Sequence, residues 1–198
     1  YRGPQLAKTP GQEREFLTRD LRDMREHGMT SVGLCMGCPT AQATMMDGTV
    51  TLNLDGTSLY EYFMDTYRDL GFPAPVVQLS DSGQSYAAQQ KAPLGSSDYA
   101  QAYTAFWKSL QAESKRRGWP EIIVQPVDEP GWQDQKAKDR NVALLKLCKA
   151  VPDLRTEQDG PGDAYFHDQA GPFRISGTTT ERLRRTPSCR LLGRPADW

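Results

Sequence analysis

Few residue types are in excess here, and what is scarce removes whole classes of function. Among 198 residues, 24 basic and 25 acidic side chains leave a formal net charge of -1. That balance lacks the basic surplus of a nucleic-acid binder. No apolar run approaches the roughly 18 residues of a membrane span, and the first residues do not read as a basic-then-apolar export signal. Four cysteines are too sparse in a chain of this length for a secreted disulfide scaffold. The G-x-S-x-G, Walker A and dinucleotide-binding patterns are all missing. No metal, cofactor, nucleic acid or membrane is therefore expected. The chain is 37% hydrophobic with a mean hydropathy of -0.66, polar but not composed like a disordered chain. Its length allows one domain with a real core, but not a complete barrel of eight strand–helix units, which takes about 250 residues.

Cys35-Met36-Gly37-Cys38 forms a C-x-x-C. A structural zinc site needs a second ligand pair, and none follows. A redox pair needs a helix starting at the cysteines, whose dipole lowers the thiol pKa. Pro39 and a polar stretch lead instead toward a hairpin pattern. The two cysteines read as ordinary strand-end residues, with a thiol redox module as the alternative.

One unit recurs along the chain. Residues 13–27 place Phe16, Leu17, Leu21 and Met24 at helical spacing, Gly28 provides a stop, and 29–36 reads as a buried strand around Val32 and Leu34. Leu59, Tyr60, Phe63, Met64, Tyr67 and Leu70 repeat the stripe, followed by Gly71 and a strand over 75–79. Tyr99, Tyr103, Phe106, Trp107 and Leu110 repeat it again, followed by Gly118 and a strand over 121–126. A fourth helix over 134–150 leads to a weaker strand over 154–157. Helices alternating with strands in this way predict an α/β fold with right-handed crossovers and a parallel sheet. Asp47-Gly48, flanked by Met46 and by alternating Val50, Leu52 and Leu54, predicts a hairpin in the loop after the first strand.

The last stretch differs. Residues 174–198 hold six arginines and no lysine against Glu181 and Asp197, a surplus of four positive charges. The pattern predicts a division into a 1–173 domain and an irregular basic tail over 174–198. The arginines are not interleaved with aromatics as base stacking would require.

In parallel α/β folds, reactive groups gather after the C-terminal ends of strands. Those positions hold Cys35 to Pro39, then Ser80, Asp81 and Ser82, then Asp128, Glu129, Pro130 and Trp132, then Asp159, Tyr165, His167 and Asp168. The most informative is Val124-Gln125-Pro126-Val127-Asp128-Glu129-Pro130. Two neighbouring carboxylates at a buried strand end repel and lose water, which raises at least one pKa into the range of a general acid. Adjacent strand residues point to opposite faces, so both can face one pocket only where the pleat breaks, as Pro130 permits. The same residues also suit a helix start. His27, at a predicted helix C-terminus, reads as structural.

The segment Asp20-Leu21-Arg22-Asp23-Met24-Arg25-Glu26-His27-Gly28-Met29-Thr30-Ser31-Val32 resembles a helix-to-strand passage found in many barrel glycoside hydrolases. Together with Asp128-Glu129-Pro130, it looks most like the catalytic domain of glycoside hydrolase family 123, over about residues 13–173. The resemblance implies a (β/α)8 TIM barrel and hydrolysis of a terminal β-linked N-acetylhexosamine, N-acetylgalactosamine-like, with the substrate's own 2-acetamido oxygen as nucleophile. Carried over, Glu129 would protonate the glycosidic oxygen and then activate water. Asp128 would orient the acetamido group and stabilise the charge that develops as its ring closes. By their place near strand ends, Asp81, Tyr86, Trp132, Tyr165 and His167 are the candidates to bind such a sugar, the aromatics by stacking and Asp81 and His167 by hydrogen bonds, with local packing as the alternative for each aromatic. The partner implied is a carbohydrate, and the compartment an exported one.

Within that barrel the predicted strands would be two to five, with the first before residue 1 and strands six to eight after Phe173, where the basic tail stands. A partial barrel, weak or inactive as an enzyme on its own, is the expectation. Three alternatives stay open. They are a non-catalytic carbohydrate-binding or interaction module, the Cys35–Cys38 redox module, and a clan relative with a glutamate nucleophile on strand seven.

Overall fold

A computed structural model describes residues 9–34, 39–46, 49–79, 83, 86–87, 89–130, 133–159 and 174–176. The helices are α1 (Pro10–Glu26), α2 (Leu59–Asp69), α3 (Ser97–Arg117) and α4 (Gln135–Lys149). The strands are β1 (Gly33–Leu34), β2 (Ala43–Met46), β3 (Thr49–Leu52), β4 (Val76–Leu79), β5 (Ile122–Gln125), β6 (Arg155–Asp159) and β7 (Arg174–Ser176).

The helices begin and end where local chemistry allows. Thr9 Oγ1, Ser96 Oγ and Asp134 Oδ1 accept from the backbone N–H groups of Gln12, Tyr99 and Ala137. Each cap satisfies a donor that the first helical turn leaves orphaned. At the other end Gly118, with φ 65°, turns the chain left-handed so that the Trp119 N–H reaches the Ser114 carbonyl at 2.9 Å. That closure releases α3 directly into β5.

Five strands pair in the order β1-β4-β5-β6-β7, every neighbour parallel. The order never doubles back, so each crossover adds its strand on the same side. The helices follow the same sequence. The Thr18 and Tyr62 hydroxyls join α1 to α2 at 2.7 Å, Arg117 joins α3 to α2, and the Tyr103 hydroxyl meets Cys148 Sγ of α4 at 3.4 Å. One helix layer therefore lies against one face of the sheet. That face carries Val32, Leu34, Val76, Gln78, Ile122 and Val124, all buried, beneath Tyr60, Phe63, Tyr67, Phe106 and Trp107. The alternate residues in register, Gly33, Val77, Ile123 and Arg155, are exposed or half-buried. Alternation assigns them to the opposite face, which no described helix covers.

Most predicted elements are present within a few residues. Two differ. Among the described residues of the first predicted strand, 29–36, the ladder holds Gly33–Leu34, while the Thr30 carbonyl accepts from Ala74 N at 3.1 Å and Ser31 Oγ donates to the Pro75 carbonyl; residues 35 and 36 lie outside the described residues. The basic tail is not irregular throughout, because Arg174–Ser176 pairs with Glu157, Gln158 and Asp159. A long-range ladder partner sets that strand, which local periodicity does not show.

The predicted hairpin forms, with Met46 opposite Thr49 across the Asp47-Gly48 position. Its second strand packs against α3, fixed by a junction around Arg117. The Arg117 guanidinium donates to Glu113 and Glu61 and to the Leu54 carbonyl, and it sits 5.0 Å over the Trp119 ring. Glu61 also accepts from Gly56 N at 2.6 Å and is 6% exposed. Removing the guanidinium would strand a buried carboxylate, which costs roughly 3–5 kcal/mol. We therefore expect Arg117→Ala to lower the urea midpoint steeply, with Arg117→Lys restoring little because one ammonium cannot serve several acceptors. Glu113 is held down to about 2, first by Arg116 and then by Arg117. A depressed carboxyl pKa gives stability that is full above the ordinary carboxylate value and lost as pH falls through the folded one. Acid unfolding followed by circular dichroism should show that loss in the native chain and less of it in Glu113→Gln.

Candidate functional site

The C-terminal ends of β4 and β5 lie side by side, with Leu79 paired to Gln125. From β5 the chain leaves through buried Pro126, half-buried Val127 and Asp128, exposed Glu129 and buried Pro130. Val127 packs on the core, which anchors the segment just ahead of the two acids. Glu129 has φ 43°, left-handed backbone that costs a residue with a Cβ about 1 kcal/mol or more. Gln133 then closes the turn by donating from Nε2 to the Asp128 carbonyl.

The pleat is thus broken between the carboxylates, as a shared pocket requires. Their surroundings are unequal. Asp128 is half-buried, whereas Glu129 is exposed, so the described residues do not take water away from it. The pair can act as neighbouring hydrogen-bond acceptors or proton carriers at a strand mouth. Closure over Glu129 would have to come from elsewhere.

Of the residues expected to bind sugar, the structure places Tyr86 inside the core. It is 2% exposed and stacks on Phe106 with ring centroids 5.7 Å apart. Its ring is a packing element of the segment after β4, and burial pushes its hydroxyl pKa up. Asp81, Trp132, Tyr165 and His167 lie outside the described residues, as do Cys35 and Cys38. The segment after β4 is drawn close to α3 at Gly83, where an added Cβ would lie 2.5 Å from Trp107 Nε1. Only a residue without a side chain fits there.

Sequence reasoning passed over Gln125. It is the last residue of β5 and the partner of Leu79, and its Nε2 is buried with no hydrogen-bond partner among the described residues. The available signal was a lone amide ending an otherwise apolar strand, Ile122-Ile123-Val124-Gln125, three residues before Asp128. Tyr86 Oη and Trp107 Nε1 are likewise buried without partners.

A separate cavity of about 530 Å³ lies between the hairpin and the last turns of α3, lined by Val50, Leu52, Leu54, Ala112, Glu113 and Arg116 among others. Among the described residues, none from the C-terminal ends of β4 and β5 lines it. Its guanidinium groups are engaged by Glu113 and Glu61, so the charges there largely cancel.

Among the described residues, no group of three His, Cys, Asp or Glu is placed to hold a metal ion. No described helix is long and apolar enough to cross a membrane. Cys148 is buried against Tyr103, and burial pushes its thiol up to about 12. No family model, curated protein or solved structure matches the chain.

Two outcomes are expected here. Glu129→Gly should be more stable than Glu129→Ala by about 1 kcal/mol in equilibrium unfolding, because only glycine relieves the left-handed backbone. Native-state alkylation with iodoacetamide, mapped by mass spectrometry, should spare Cys148 until the protein is unfolded.

Proposed function

We propose that this chain is a glycoside hydrolase-like segment of a (β/α)8 barrel acting on a terminal β-linked N-acetylhexosamine. One observation carries the reading. The adjacent Asp128 and Glu129 stand just past the C-terminal end of a central strand, in a sheet whose strands and helices advance in a single direction. Barrels wind in that way, and their chemistry sits at that edge. In barrel order β1 takes position two, β5 position four and β7 position six.

Glu129 is the proton carrier, acid to the departing oxygen and then base to the incoming water. Its exposure lets it exchange protons with solvent between these steps. Asp128 accepts a hydrogen bond from the substrate's acetamido N–H and opposes the positive charge that forms as the acetamido oxygen closes on the anomeric carbon. Trp132 and Tyr165 supply stacking faces, and Asp81 and His167 bind hydroxyls. The described strands wall the site on one side.

A second reading is a carbohydrate-binding module without catalysis. The water left around Glu129 favours it, since a general acid near neutrality is normally shielded.

The test compares N-acetyl-β-galactosaminides with good and poor leaving groups. The Glu129→Gln variant should lose about 10²–10⁴-fold in rate on an alkyl or sugar aglycone, and much less on nitrophenol, which departs without a proton. Asp128→Asn should be slow on both. Sugar binding with no turnover, unchanged in Glu129→Gln, would replace the hydrolase reading with the binding module.

A further inference from the structure

We infer that Gln125 is a ligand contact, its carboxamide N–H donating to an acceptor oxygen of a neutral polar ligand seated at the β4–β5 mouth. The inference rests on the carbohydrate reading of this site and names a residue that reading lacked.

Gln125 ends β5, a strand whose Ile122 and Val124 face the helix layer. Alternation turns Gln125 with Ile123 to the face of the sheet that no described helix covers. Gln125 is half-buried, yet its Nε2 is shielded from solvent and meets no acceptor among the described residues. The amide on the other face shows the contrast, because Gln78 Oε1 accepts from the Tyr60 hydroxyl at 3.1 Å inside the core. Each buried polar group left unpaired in a folded protein is costly and calls for an explanation. A donor that has lost water, three residues ahead of Asp128, is explained by an acceptor that arrives with the ligand.

The chemistry selects the ligand class. An amide donor at the end of the strand that leads into two carboxylates suits a molecule that offers a hydroxyl or carbonyl oxygen to Gln125 and N–H or O–H groups to Asp128 and Glu129. A 2-acetamido sugar carries all of these without a net charge. An anionic ligand would be repelled by the two acids at the same mouth.

The test uses the full chain, methyl N-acetyl-β-galactosaminide as probe, ligand-observed NMR for affinity and thermal melting for stability. Gln125→Met keeps the length and removes both donors, and Gln125→Glu keeps the size but offers only acceptors. Both variants should bind the sugar about tenfold or more weakly. Gln125→Met should melt no lower than the native chain, because it deletes a polar group that has no partner to lose.

Native-like affinity in Gln125→Met would overturn the inference and leave the carbohydrate reading standing. A fall of several degrees in its melting temperature would show the amide to be a structural bond and overturn the inference equally. A native chain that does not bind the sugar would remove the carbohydrate reading, and the inference with it.

Discussion

The Arg117 guanidinium holds together parts of the chain that lie far apart in sequence. It reaches the Leu54 carbonyl beyond the hairpin, Glu61 on α2 and Glu113 on its own helix, while its backbone carbonyl accepts from Arg68 at 3.0 Å. Trp119, under the guanidinium, is tied to Asp65 at 2.7 Å. The strand that carries the two acids starts three residues later, so the direction in which β5 leaves the helix layer depends on this junction. Charged groups are suited to such work because an ion pair has a geometry, whereas apolar contact alone is indifferent to angle. The cost is desolvation of Glu61, offset only while all its partners stay in place.

What could be read from the sequence was local. Gly28, Gly71 and Gly118 mark helix ends, and each has positive φ. Asp47-Gly48 marks a hairpin whose register follows from a two-residue turn. The position of Asp128 and Glu129 just past a strand follows from the same periodicity. What could not be read was contact between distant segments. Arg117 and Glu61 are 56 residues apart, and nothing in either neighbourhood announces the pair. Gly83 reads as an ordinary loop glycine until Trp107 is found beneath it. Tyr86 reads as a loop aromatic free to meet a ligand, and only the position of Phe106 shows that its ring is already occupied.

The candidate site illustrates a further limit. Order along the chain says which residues end a strand, but not how much water they keep. Asp128 and Glu129 look equivalent as letters, yet one is half-buried and the other exposed. Gln125 is the converse case, an amide in an apolar strand whose donor no described residue answers.

The left-handed backbone at Glu129 also bears on how this position should drift over evolutionary time. A glutamate there is disfavoured by folding, since glycine or asparagine would fit the same conformation with less strain. Lineages freed from whatever the carboxylate does should slide toward those residues, while lineages under functional selection should keep the acid against that pull. The strained position thus acts as a natural record of whether the site is still in use.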